Sequence, residues 1–386
     1  MNPARTSKYH YPWRGGNRFR LLVDGEHFFP AMLAAIETAK SYILLELYLF
    51  ESGKIAGQFI AALGSAAHRG VQVQVLLDDF GAGGLSPTDR QRLTAAGVSV
   101  AFYNPVKLVP RRHLLYRNHR KLLLVDGRTA FTGGFGISDD FSPHCRSGLP
   151  WHETVLEVAG HCVADWQDLF LSGWNRTTGQ ALILPEADSA PFPNGAPGRV
   201  ILQHPFPGHS EVMGSHIKAV RRSRRRVWLA TAYFLPSWKL RKALRRAARR
   251  GVDVRLLLPG PCSDHPAVGH AGRRYYERLL RAGVKIFEYQ PSFLHAKVLL
   301  CGEWVSIGSS NLDRWNYRFN LEANQEAVDP GLAAAVAGQF EADFERSLEI
   351  NYEHWIKRPW HRHLQEWFWG WVGRVLQWLG ERNARF

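Results

Sequence analysis

The chain has 386 residues, of which 45% are hydrophobic and 22% charged, a composition that excludes disorder and a length that exceeds one typical core and suggests two domains or one large duplicated one. Its formal net charge of +15 points to an anionic partner, either nucleic acid or acidic lipid headgroups. Cys145, Cys162, Cys262 and Cys301 form no C-x-x-C pair and show no metal-finger spacing, so a reducing compartment is the simplest expectation. The first twenty residues contain no apolar core of a secretory signal, and no apolar run reaches the roughly 18 residues of a spanning helix, so any membrane contact is expected at the surface.

In chain order, YILLELYLF (42 to 50) reads as a buried strand, KIAGQFIAALGSAAHRG as a helix and VQVQVLL as the next strand. HRKLLLVDGRTAFTGG (119 to 134) reads as a β-hairpin in which His119 and Lys121, two residues apart, share one face. Asp126-Gly127 signals a two-residue turn, which puts Asp126 at the turn rather than beside the other two. WHETVLEV adds a strand carrying Glu153. The Pro- and Gly-dense ILPEADSAPFPNGAPGR then reads as a linker.

Beyond the linker the same order returns. VWLATAYFL (227 to 235) is followed by the helix LRKALRRAARRG and the strand VDVRLLL. The junctions HRGVQVQVLL and RRGVDVRLLL match, as do LTAAGVSVAFY and LLRAGVKIFEY, at offsets of 181 and 186 residues. One α/β unit is therefore used twice, and a second His-x-Lys is expected. FLHAKVLLCGEWVSIGSSN supplies it, placing His295 and Lys297 on a strand, 176 residues after the first pair, with Gly308, Ser309, Ser310 and Asn311 beyond the return strand. The expected divisions are a first domain (1–180), a linker (181–198), a second domain (199–350) and a C-terminal segment (351–386).

The duplicated His-x-Lys, with GSSNLD and NLEAN beside the second copy, resembles the phospholipase D superfamily, whose signature is His-x-Lys, four residues, Asp, six residues, then Gly-Ser/Gly-x-Asn. Within it the nearest likeness is to bacterial cardiolipin synthases that lack N-terminal membrane spans, over about residues 15 to 345. The resemblance implies an α/β fold of two similar domains, each a mixed, mainly β-sheet flanked by helices, related by a pseudo-twofold axis. The sequence departs from the pattern in the second motif, where Gly302 stands at the Asp position with Glu303 beside it as a substitute, and in the first, where Gly136 stands at the Asn position.

A phosphodiester resists attack because its anionic oxygens repel nucleophiles and its alkoxide leaves poorly. One imidazole can attack phosphorus while the other protonates the leaving oxygen, and the roles reverse in a second step. Lys121, Lys297 and Asn311 can hold the nonbridging oxygens, a scheme that needs no metal or other cofactor. The resemblance implies that His119 is the nucleophile, His295 the general acid, and Glu153 and Glu322 their orienting partners; Asp126 belongs to the motif with a structural role.

KAVRRSRRRV and WKLRKALRRAARR read as basic helical stretches that could draw the protein to acidic lipid. Trp355, Trp360, Trp367, Trp369, Trp371 and Trp378, set among Arg, Lys and His, suit a headgroup boundary. The expected function is phosphatidyl transfer between two phosphatidylglycerol molecules, peripheral at the cytoplasmic side of a bacterial inner membrane, with nucleic acid disfavoured as partner. A lipid hydrolase or nuclease of the same superfamily, or a non-enzymatic lipid-binding module, are the alternatives, and oligomeric state is not readable from the sequence.

Overall fold

The computed structural model describes residues 9–106, 115–145, 148–205, 210–313 and 316–359. Among them a single sheet of sixteen strands runs through both halves of the chain. In the first half, Tyr42–Leu47 lies antiparallel to Leu122–Val125 and parallel to Gln72–Asp78, which pairs in turn with Ser99–Tyr103. In the second, Arg226–Ala230 lies antiparallel to Val298–Cys301 and parallel to Asp253–Pro259, which pairs with Lys285–Tyr289. The halves meet where Arg14–Val23 pairs antiparallel with Ala196–Gln203, so the same strand order runs outward from a central pair. This matches the expected duplication of a mixed, mainly β α/β unit.

Helices cover both faces, which is why the inner strands are apolar without interruption. Alternation still sorts their side chains: Ile43, Leu45 and Leu47 pack with Phe28, Phe59 and Leu63 of helices Gly25–Thr38 and Lys54–His68, whereas Tyr42 and Leu44 join a core that reaches into the second half through Trp228, Leu300 and Phe340. Trp166, on helix Cys162–Thr178, donates its indole N–H to the side-chain oxygen Oε1 of Gln325 across that boundary, at 2.8 Å.

Several boundaries differ from those read in the sequence. The run 227–235 is broken into Arg226–Ala230 and a two-residue strand, Phe234–Leu235, which pairs with Leu312–Asp313. The basic run KAVRRSRRRV is helical only to Arg222, where Ser223 ends the helix, and Arg226 opens the next strand. Helix Trp238–Arg249 buries Leu240, Ala243, Leu244 and Ala247 at helical spacing and turns its cations outward. The linker region carries no helix or strand until Ala196, three residues before the expected start of the second domain.

Trp355 is 7% exposed and packs on Tyr276, with ring centroids 4.9 Å apart. It belongs to the second-half core rather than to a membrane-facing tail, because helix Tyr352–Ile356 folds back against Tyr276–Leu280. The expectation for Trp360, Trp367, Trp369, Trp371 and Trp378 lies outside the described residues. Among the described residues no helix is long and apolar enough to cross a membrane.

Candidate active site

Each histidine sits just before a hairpin, not within it. The strands begin at Leu122 and Val298, and the preceding residues instead pair with the opposite half. Arg117–Asn118 runs parallel to Asn320 and Leu321, and the His119 N–H donates to the Leu321 carbonyl at 3.0 Å. The second half mirrors this: Leu294 forms a parallel bridge with His152, and the His295 N–H donates to the His152 carbonyl at 2.8 Å. The residue after each acceptor is a glutamate, so the backbone pairing delivers Glu322 to His119 and Glu153 to His295.

The side chains complete the exchange. His119 Nδ1 lies 2.9 Å from Glu322 Oε1 and 3.1 Å from Oε2, and His295 Nδ1 lies 2.7 Å from Glu153 Oε2. Both carboxylates are fully buried. With Nδ1 of each ring on a carboxylate, Nε2 is the nitrogen left for other partners, and that of His295 lies 3.3 Å from Lys297 Nζ. Underneath, Asn118 is clamped between Asp78, which accepts its N–H at 2.8 Å, and Glu46, which accepts its amide at 2.6 Å.

The two lysines are placed alike. Lys121 Nζ donates to the His119 carbonyl at 2.7 Å, and Lys297 Nζ donates to the His295 carbonyl and lies 3.4 Å from Glu153. Gly134 makes room for this second cluster: a Cβ there would clash with the Glu153 carboxylate and the Lys297 ammonium. His119, Lys121, His295, Gly134 and Asn311 line one cleft of about 550 Å³ formed by both halves.

Burial governs the charges. It pushes His119 below its ordinary value, with Glu322 opposing and Lys121 assisting, and it pushes His295 down further, helped by Lys297, Lys121 and His119. Burial lowers Lys121 to about 7 against the pull of Glu322, lowers Lys297 against Glu153, and raises Glu153 against Lys297. Burial therefore favours neutral imidazoles and loosely held ammonium protons.

Asp126, grouped with the catalytic residues by its motif, does not line this cleft. It sits in the hairpin turn at φ 52°, and its carboxylate accepts the backbone N–H groups of Lys40, Ser41 and Tyr42 at 2.9, 2.7 and 3.0 Å. It ties the hairpin to the start of the neighbouring strand. In the second half Gly302, at φ 65°, makes a tighter two-residue connection between Cys301 and Trp304. Glu303 is exposed, and its carboxylate has no such set of backbone donors among the described residues, so it does not stand in for the aspartate. Gly136 cannot carry the motif's Asn in place, since its Cβ would meet Leu49 at 2.8 Å.

Sequence reasoning passed over a second charged cluster. His152 is bracketed by Asp24 at 2.8 Å and Asp343 at 3.0 Å and stacks on Tyr289. Burial opposes its charge, but the two carboxylates outweigh that and raise it to about 10. Asp24 also accepts the Glu153 N–H at 3.0 Å, so this imidazolium anchors the backbone that presents both Glu153 and His295. His152 was visible in WHETVLEV, but its partners lie 128 and 191 residues away.

A family model described as "Cardiolipin synthase, PLD-like domain" matches residues 32–142 and 216–348. Cardiolipin synthase A of Pseudomonas entomophila is 36% identical over 382 residues, covering 97% of this chain and 75% of that protein. Cardiolipin synthase of Geobacillus kaustophilus is 33% identical over 351 residues, covering 90% of this chain and 70% of that one. Among solved structures, the phosphatidylserine synthase of Haemophilus influenzae Rd KW20 superposes with a TM-score of 0.68 at 12% identity, covering 88% of this chain and 90% of that one. The polyphosphate kinase of Porphyromonas gingivalis reaches 0.59 at 14% identity, covering 87% of this chain and 49% of that one. These two likenesses show the shared fold, and the sequence matches go further: the chain belongs to the family of cardiolipin synthases with PLD-like domains.

Proposed function

We propose that the protein is a cardiolipin synthase, an enzyme that transfers a phosphatidyl group from one phosphatidylglycerol to another, peripherally at the cytoplasmic face of a bacterial inner membrane. The observation that carries the reading is the crosswise pairing: two imidazoles, each with Nδ1 on a buried carboxylate of the other half, share one cleft with the Lys121 ammonium, while Lys297 is buried against His295.

In the first step His119 Nε2 attacks phosphorus, the bond to the glycerol oxygen breaks, and His295, which takes up a proton when the bound phosphodiester anion offsets the neighbouring lysines, gives that proton to the oxygen. The imidazolium character that develops on His119 is balanced by Glu322. In the second step a hydroxyl of another phosphatidylglycerol attacks phosphorus, His295 takes its proton, and the phosphorus–nitrogen bond breaks. Cardiolipin and glycerol leave with all atoms accounted for. Lys121, Lys297 and Asn311 stabilise the nonbridging oxygens as charge builds on them.

A lipid surface is favoured as partner by the 63% exposed Phe80 at the cleft, by the 53% exposed Trp238 three residues beyond cleft-lining Leu235, and by the outward cations of helix Trp238–Arg249. Incubating the purified protein with phosphatidylglycerol vesicles, followed by lipid chromatography, is the test. Cardiolipin and glycerol in equal amounts are expected. Phosphatidic acid alone would make the protein a hydrolase, and cleavage of nucleic acid without lipid turnover would make it a nuclease.

A further inference from the structure

The two walls of the cleft are chemically unlike. The first half contributes the cations Arg117 and Lys121 beside Tyr48, Leu49 and Phe80, whereas the second contributes the carboxylates and amides of Asp264, Asp313, Asn311, Asn316 and Asn320 beside Tyr233, Leu235 and Val268. Two carboxylates on one wall of a cleft that otherwise suits an anion need an explanation, because they repel the phosphate the lysines attract.

The polar wall is a connected network. Asp313 accepts the Asn316 N–H at 2.8 Å and also its side-chain amide, Asn316 in turn accepts from the Asn320 amide, and that amide lies 3.5 Å from Glu322, the partner of His119. Tyr233 donates its hydroxyl to Asp264 at the rim. Asn311 is only 1% exposed, yet its Oδ1 has no hydrogen-bond partner although the residue lines the cleft. A buried acceptor without a partner is destabilising, and a ligand that donates to it recovers that energy.

We infer that this wall is a polyol subsite, which holds the glycerol hydroxyls of the leaving alcohol and then of the acceptor alcohol in turn. A hydroxyl donates to carboxylate and amide oxygens and accepts from amide N–H groups, so it suits a wall that mixes both. A second phosphate is repelled by Asp264 and Asp313. A cationic headgroup is repelled by Arg117 and Lys121 in the same cleft. The Tyr233 end of the wall lies on the side of His295: the Tyr233 ring is 6.5 Å from Phe293, whose ring is 5.6 Å from His295. The group that exchanges protons with the alcohol is thus beside the wall that holds it.

The inference rests on the phosphatidyl-transfer reading and deepens it. Its test is the fate of the phospho-histidine, read as a partition ratio that depends neither on donor binding nor on the folded fraction. The full chain is given phosphatidyl-p-nitrophenol in vesicles with glycerol, ethanol and ethanolamine competing at equal concentration, and the lipid products are counted. Glycerol is expected to be captured at least about tenfold over ethanol, because a site built to hydrogen-bond hydroxyls discriminates against alcohols that lack them. Asp264→Asn and Tyr233→Phe should each cut that preference severalfold. Equal capture of ethanol, preference for ethanolamine, or an unchanged ratio in both variants would overturn the polyol subsite while leaving transfer intact. Absence of every alcohol product would remove the transfer reading and this one with it.

Discussion

Replacing Glu322 by Gln keeps the shape of the side chain and removes the charge that faces His119 at 2.9 Å. Charge-assisted hydrogen bonds of this kind contribute about 1.5–3 kcal/mol. If that interaction strengthens as His119 becomes cationic, its loss slows attack by about 10- to 150-fold. Glu153→Gln removes the 2.7 Å partner of His295 and acts on the proton donor instead. The leaving group separates the two. Stopped-flow release of p-nitrophenolate from an activated phosphatidyl ester needs no proton, so the defect of Glu153→Gln should shrink to a few-fold there, while that of Glu322→Gln should persist. With phosphatidylglycerol as donor both should be slow. If Glu153→Gln kept its full defect on the activated ester and Glu322→Gln lost its own, the roles of His119 and His295 would be reversed. Equal behaviour of both variants on both donors would refute the division of labour altogether.

His119→Ala should abolish any covalent phospho-enzyme seen by mass spectrometry, and an adduct on His295 that survives the substitution would contradict the assigned nucleophile. Lys121 is lowered to about 7, so in the free enzyme its charge is present below that pH and lost above it; kcat/KM should fall on the alkaline side near pH 7, and Lys121→Arg should move that limb upward. Gly134→Ala should cost at least tenfold in kcat with little change in thermal midpoint, because its Cβ meets Glu153 and Lys297 rather than the apolar core; a large fall in Tm with unchanged kcat would place its role in folding. His152 is raised to about 10 in the folded state against an unfolded value near 6.5, so its contribution to stability is complete below about pH 6.5 and is lost as pH rises to about 10, at up to about 1.4 kcal/mol per unit. Urea titrations of the wild type and His152→Gln across that window should converge toward high pH, and parallel curves would rule the clamp out.

The local reading of the sequence reached the duplication, the strand and helix order, both His-x-Lys pairs and the irregular second turn, because hydrophobic period, turn chemistry and repeat spacing are written within a few dozen residues. It misjudged where local signals compete with distant partners. His119 and His295 look like strand residues by alternation, yet their backbones pair with 320–321 and 152 of the opposite half, and the hairpin begins only at Leu122 and Val298. Trp355 looks like part of an interfacial run, yet Tyr276 gives it a core to enter. The sequence by itself thus determined which groups are the candidates for the chemistry and that there are two His-x-Lys pairs. Only the tertiary structure decided which carboxylate serves which histidine, since His119 and Glu322 are 203 residues apart and meet through a two-residue parallel ladder that no local propensity specifies. It also decided that the carboxylates and amides of the second half face the cations of the first, because that contrast exists only once the two units face each other across a shared cleft.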